Sequence, residues 1–288
     1  MESTMLYVRK RGGSQMPKLQ AAAQGYREAR QTILKGKTEN GVPEDDVQDW
    51  HDPKSLWDYL GEDVTNIVLD QLIREQGGLC AYCMKPIERV KAGNKTADKE
   101  AMPAHVEHFI PRHPKSKDYP SRDYQEMQWQ NEGEADEYSP YADEQSVNYR
   151  NLIAVCDQKQ FNGEATCDAS RGSECLHHNP CNRDDVRHFE YSTSGTVKAA
   201  DDAKHDDTVS DIATLNLNAS RLKDSRKTQA AAMLKTIYKD HPDAASRIAY
   251  CKSKLAEFQH ARKKPEYYEM KVYLLCKGMG DLSRYPVA

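Results

Sequence analysis

The chain has 288 residues, enough for one large domain or two modest ones with a hydrophobic core. Only 38% of residues are hydrophobic and the mean hydropathy is −0.89, so wide solvated helix faces or long polar insertions are expected. No apolar run reaches the ~18 residues of a membrane span, and MESTMLYVRKRGG lacks the apolar stretch of a secretory signal, so a cytoplasmic protein with no membrane partner is expected.

In chain order, PKLQAAAQGYREARQTILKG has helical character and stops at Gly36. A stronger helix follows in EDVTNIVLDQLIREQGG: Val64, Ile67, Val68 and Leu72 share one face, acids open it, and Gly77 and Gly78 close it. From there to about residue 200 the helical period disappears. HVEHFI and NLIAVC suit short strands, and HFEYSTSGTVKAA suits a hairpin with STSG at its turn. Between the two strands runs an acidic, proline-bearing insertion, about 112–147, in which Ser121 to Ser146 carries eight acidic residues against one arginine.

After residue 205 helices return. Ala230, Met233, Leu234 and Ile237 fall on one face, as do Ile248, Cys251, Leu255 and Phe258. Pro265 suits the first turn of a last helix closed by Gly278. Arg221 to Lys264 carries twelve basic and four acidic residues, which suits a phosphate-binding face that would include Lys252 and Lys254, or else an ordinary charged exterior. The expected class is α+β, with an N-terminal helical region (1–62), a small metal-stapled centre with the acidic insertion (63–200) and a C-terminal helical region (201–288).

Eight cysteines without a secretory signal argue for metal ligation over disulfides. Cys80 and Cys83 form a CxxC, whose knuckle turn directs two sulfurs at one Zn²⁺. A redox CxxC would need a strand before it and a helix after it, whereas here the helix comes first. Cys156 and Cys167 are chosen as the second pair; Cys175 and Cys181 are the substitutes. Cys251 and Cys276, alone among helical residues, suit buried packing.

HVEHFIPR places Glu107 and His108 side by side, with Pro111 and Arg112 behind. Phosphodiester hydrolysis needs a water, a base to take its proton, and a cation for the charge growing on phosphate. Histidine, with an ordinary pKa of ~6.5, is suited to the base, so His108 is assigned that role. Asn151 could accept the proton of the far imidazole nitrogen and so set the tautomer. Neighbours on a strand face opposite ways, so Glu107 and His108 meet one substrate only if the strand is bent. His105 is read as an ordinary surface histidine, with a supporting or zinc role as the alternative. Arg112 could contact phosphate.

The order knuckle cysteines, Glu107-His108, Asn151-Leu152, then Cys156 resembles the HNH endonucleases over roughly residues 77–172. EQGGLCAYCMKPI, HVEHFIPR and NYRNLIAVC resemble more narrowly the PtuB-type proteins of Septu and retron anti-phage systems. The resemblance implies a zinc-stapled ββα-metal core, a catalytic Mg²⁺ or Mn²⁺ on Glu107 and on Asp168, which directly follows Cys167, and a PtuA-like ATPase as partner. His177 or His178 would replace Asp168 if Cys175 or Cys181 completed the cage. The fourth cysteine usually follows the third closely; here DQKQFNGEAT defers it. DNA is the favoured substrate, with tRNA open. Two competing readings are an RNA-cutting nuclease and a zinc-stapled nucleic-acid or partner-binding module without catalysis.

Overall fold

The computed structural model describes residues 5–10, 17–25, 28, 55–90, 101–112, 146–157 and 164–280. Most of the acidic insertion and much of the first expected helix therefore lie outside the described residues; 17–25 is helical. Among the described residues no helix is long and apolar enough to cross a membrane.

The fold is α+β. A 3₁₀ turn at Leu56–Tyr59 leads into α1 (Glu62–Glu75), and a three-stranded sheet follows in the order β1 (Ile87–Glu88), β2 (Met102–His108), β3 (Leu152–Cys156). β2 and β3 are antiparallel, whereas β1, too short to stand out in the sequence, runs parallel to β2. The short α2 (Asp168–Arg171) comes next, then a hairpin of β4 (Phe189–Tyr191) and β5 (Val197–Ala199). Four helices complete the chain: α3 (His205–Thr214), α4 (Ser220–Lys235), α5 (Ala244–His260) and α6 (Tyr268–Gly278). A wider π-helical turn, Thr236–Asp240, prolongs α4.

α1 forms as its pattern requires: Glu62 and Asp63 complement the positive helix start, and Val68, Leu69 and Leu72 are buried. It ends on Gly77 (φ +65°) and Gly78 (φ +79°), whose N–H groups reach back to Arg74 and Ile73 carbonyls. A side chain at Gly77 would also strike Lys264, whose Cγ lies 2.5 Å from where a Cβ would stand. The hairpin turn likewise needs its glycine: at Gly195 a Cβ would lie 2.1 Å from the Lys223 carbonyl on α4.

Buried Gln76 locks α1 to the sheet. Its amide nitrogen donates to the carbonyls of Leu79 (2.8 Å) and Ala154 (2.7 Å), while its oxygen accepts from Ala154 N–H at 2.7 Å. Removing this side chain strands buried backbone groups, which costs ~1–3 kcal/mol for each such loss. Gln76→Ala is therefore expected to cost about 3 kcal/mol in urea unfolding of the metal-loaded chain. A cost under about 0.5 kcal/mol would show that water replaces the clamp.

One apolar core runs through all three regions, joining Met5 and Leu6 to the knuckle and to α6 residues Val272 and Leu275. Cys251 and Cys276 are buried in it, as expected. The start of α6 differs from expectation. Pro265 precedes the helix, and Tyr267 takes a left-handed conformation (φ +53°). Tertiary bonds explain this: Lys264 N–H donates to Gly77 and Tyr267 N–H to Met84, so the segment is pinned to the knuckle before the helix begins.

Candidate metal centre and catalytic constellation

Cys80, Cys83, Cys156 and Cys167 come together with all four sulfurs within 4.8 Å of one another, and all four are buried. Cys80 and Cys167 are 3.9 Å apart and Cys83 and Cys156 are 3.7 Å apart; a tetrahedron with Zn–S of about 2.3 Å has sulfur–sulfur edges of about 3.8 Å. The four could therefore hold a structural metal such as zinc. Cys175 and Cys181 remain half-buried outside this group.

The knuckle is built locally. Met84 N–H donates to Cys80 O (3.0 Å), Cys80 N–H donates to Lys85 O (2.9 Å), and Met84 takes a left-handed φ of 58°. Cys167 is also held at positive φ (57°), unusual for a cysteine and the kind of strain that a surrounding constraint sustains. Hydrogen bonds from Cys156, Cys80 and Cys83, with burial, push the Cys167 thiol well above its usual range. A cation inverts this balance, because a coordinating thiol is deprotonated outright.

On the sheet beside the cage, β2 pairs regularly with β3 to its end, Glu107 opposite Ile153 and His108 opposite Leu152. Consecutive pairing sends the two side chains to opposite faces. The strand is not bent so as to bring them to one gap.

Glu107 faces Arg171, with which it forms an ion pair. Burial and the Asp168 charge raise its carboxyl to about 7, against the opposing pull of Arg171. Asp168 opens α2, and its Oδ2 lies 2.8 Å from His105 Nε2. His105 is thus no solitary surface histidine: burial works against its charge, yet the Asp168 hydrogen bond and the Asp168 and Glu107 charges raise it.

His108 lies on the other face, buried, with Nε2 2.9 Å from the Ser146 carbonyl and Trp57 edge-on at 5.1 Å between ring centroids. A carbonyl only accepts, so Nε2 carries the proton and Nδ1 keeps its lone pair. Burial pulls the imidazole down to about 3, so it is neutral near pH 7. Asn151 does not perform the expected tautomer-setting task. Its oxygen accepts from Ile110 N–H (2.7 Å) and its nitrogen donates to Ile110 O (3.1 Å), so it braces the backbone after the histidine, and Ser146 sets the tautomer.

Arg112 pairs with Asp58 of the 3₁₀ turn, and Asp58 also caps Ser55 at 2.9 Å. Lys252 is exposed on α5, and Lys254 Nζ sits 2.8 Å from both Glu257 oxygens. His177 and His178 pair instead with Asp207 (3.3 Å) and Asp211 (2.9 Å) of α3.

Sequence reasoning overlooked Arg171, Ser146, Trp57 and the bond from His105 to Asp168. Only the same-face spacing of His105 and Glu107 signalled any of this. No protein-family model matches the chain, and no curated protein matches it either.

Proposed function

We propose that this chain is a metal-dependent HNH-type endonuclease that hydrolyses phosphodiester bonds, and that it serves as the effector nuclease of an anti-phage system beside a PtuA-like ATPase. The observation that carries the reading is a neutral histidine of defined tautomer at the end of β2, adjacent in sequence to an acid that shares its field with Asp168. The strand that carries both pairs through Ala104 with Cys156 of the Cys80, Cys83, Cys156 and Cys167 group, and the order β2, β3, α2 is the one the resemblance implies.

In this reading His108 Nδ1 takes the proton of the attacking water while Nε2–H stays on Ser146. As the new P–O bond forms, the P–O bond to the leaving sugar oxygen breaks and that oxygen takes a proton from solvent. Burial keeps the imidazole neutral but also makes it a weak base; an anionic phosphate bound beside it raises it toward working pH. Glu107 and Asp168 are the residues that would hold Mg²⁺ or Mn²⁺, which would supply positive charge to the phosphate. Because Glu107 and His108 leave opposite faces of β2, the strand end must turn in this reading when metal and phosphate bind. Both carboxylates are hard oxygen donors, and a cation would favour the charged form of Glu107, whose carboxyl burial and then Asp168 raise. Among the described residues the two do not form a close three-ligand group with His105. Asn151 fixes the Ile110 backbone and His105 holds the Asp168 carboxylate. Arg112 would meet phosphate after exchanging its Asp58 partner.

A second reading is favoured by a specific observation. Glu107 and His108 leave β2 on opposite faces, which suits a zinc-stapled binding module without catalysis. The two are separated by incubating the chain, with and without its ATPase partner, with plasmid, linear DNA and total tRNA. Cleavage that requires added Mg²⁺ is expected, with DNA the favoured substrate. Binding without product from any of the three would establish the module instead.

The basic C-terminal helices are assigned to substrate holding. The pairing of Lys254 with Glu257 is an exposed one, worth at most about 1 kcal/mol, so phosphate can displace it. Reversing Lys252 and Lys254 to glutamate should weaken nucleic-acid binding and lower the log–log salt slope by about 1–2. An unchanged slope with lost ATPase binding would assign this face to the protein partner.

A further inference from the structure

We infer that Arg171 is a positioning residue, acting through Glu107 and the His108–Phe109 backbone and tying them to the metal knuckle. The inference rests on the nuclease reading above. Arg171 is among the largest fully buried side chains, and its donors diverge to several elements. Nη1 pairs with Glu107 and donates to the Tyr82 hydroxyl (3.0 Å) and to the His108 carbonyl (3.1 Å). Nη2 donates to Phe109 O, and Nε donates to Glu174 O at 2.7 Å.

Those partners define the task. Tyr82 lies between Cys80 and Cys83. Arg171 itself is carried by the turn that Cys167 opens, its own N–H donating to Cys167 O at 2.9 Å. One rigid, planar group therefore joins both halves of the cysteine cage to the end of β2, where the proposed acid and base sit. Its permanent charge also pairs with the Glu107 carboxylate.

Arg226 shows what an arginine confined to packing looks like here. It too is buried, but it donates from Nε to Gly195 O (2.7 Å) and from Nη2 to Leu217 O, lies over Tyr191, and touches no carboxylate of the proposed site.

The test compares Arg171→Met, Arg171→Lys and Arg226→Met with the parent. The readouts are single-turnover cleavage per zinc-bearing chain and Mn²⁺ binding followed by loss of the free-ion EPR signal. Arg171→Met should cleave about 10²-fold more slowly, the scale of a displaced catalytic group. Its Mn²⁺ affinity should be no weaker than the parent's, because deleting a cation beside Glu107 and Asp168 leaves the site more negative. Arg171→Lys, which keeps the charge but loses the fork, should recover part of the rate and still fall about tenfold short. Arg226 is fully buried and therefore no part of the exposed substrate-holding face, so Arg226→Met should cleave at the parental rate per folded chain.

A parental rate in Arg171→Met would overturn the inference, as would rate and Mn²⁺ affinity falling together. Should Arg171→Met not fold, a parental rate in Arg171→Lys overturns it alone. A parent that cleaves nothing removes the nuclease reading and this inference together, whereas an active parent with an equally active Arg171→Met removes only the inference.

Discussion

Replacing His108 by alanine is expected to lower cleavage by ~10²–10⁴-fold while zinc content stays at the parental value, because general-base removal typically costs that much. The loss should appear in the rate at saturating substrate more than in affinity, since in the proposed role the imidazole moves a proton and does not grip the phosphate. Some stability should go too, for Ser146 O loses its donor. The histidine's pH signature should go with it. Burial depresses the folded value to about 3 below an unfolded ~6.5, so the unfolded chain takes up a proton that the fold resists. The contribution is present above pH 6.5 and is lost as pH falls toward 3. Denaturant midpoints of His108→Ala should therefore decline less steeply than the parent's across that range. Cleavage at the parental rate would remove His108 from the catalytic assignment and strengthen the binding-module reading.

The second large effect belongs to the cage. Cys80→Ser should yield insoluble or partly unfolded protein with zinc below stoichiometry. A structural zinc contributes ~10–16 kcal/mol of apparent folding free energy in small finger peptides, comparable to or larger than the ~5–15 kcal/mol net stability of a whole domain. The damage should spread beyond the knuckle, since Tyr267 hangs on Met84 and Ala81 N–H bonds Ala154 of β3. Cys175→Ser and Cys181→Ser should retain zinc, because both lie outside the four-sulfur group. A soluble Cys80→Ser with native circular dichroism and full zinc would refute the assignment.

Local chemistry explains what was legible in the sequence. α1, β2, β3 and the hairpin were readable because each has its own period and its own terminating glycine or turn. That Cys80 and Cys83 need a second pair was readable from the knuckle; Cys156 and Cys167 were the choice, with Cys175 and Cys181 as substitutes, and the fold decides between them. What escaped were residues whose task is set by distant partners. Arg171 follows CDAS like any solvated cation, and nothing local says that it will be buried under Glu107. Ser146 and Trp57 reach His108 from separate segments, 38 residues away in the case of Ser146. Asn151 was expected to hold the imidazole, but its side chain bonds the backbone of Ile110, which offers both a donor and an acceptor. Tyr267 took a left-handed turn because Met84 claimed its N–H, a tertiary demand that overrode the usual place of Pro265.

The four cysteines, which could hold one metal ion, tie β3 to the turn that opens α2, and β2 pairs with β3. Zinc K-edge X-ray absorption on the purified chain tests this most directly. The predicted result is one zinc per chain in a shell of four sulfurs at about 2.3 Å, with no nitrogen. A shell containing imidazole nitrogen, or protein free of zinc yet folded, would contradict it.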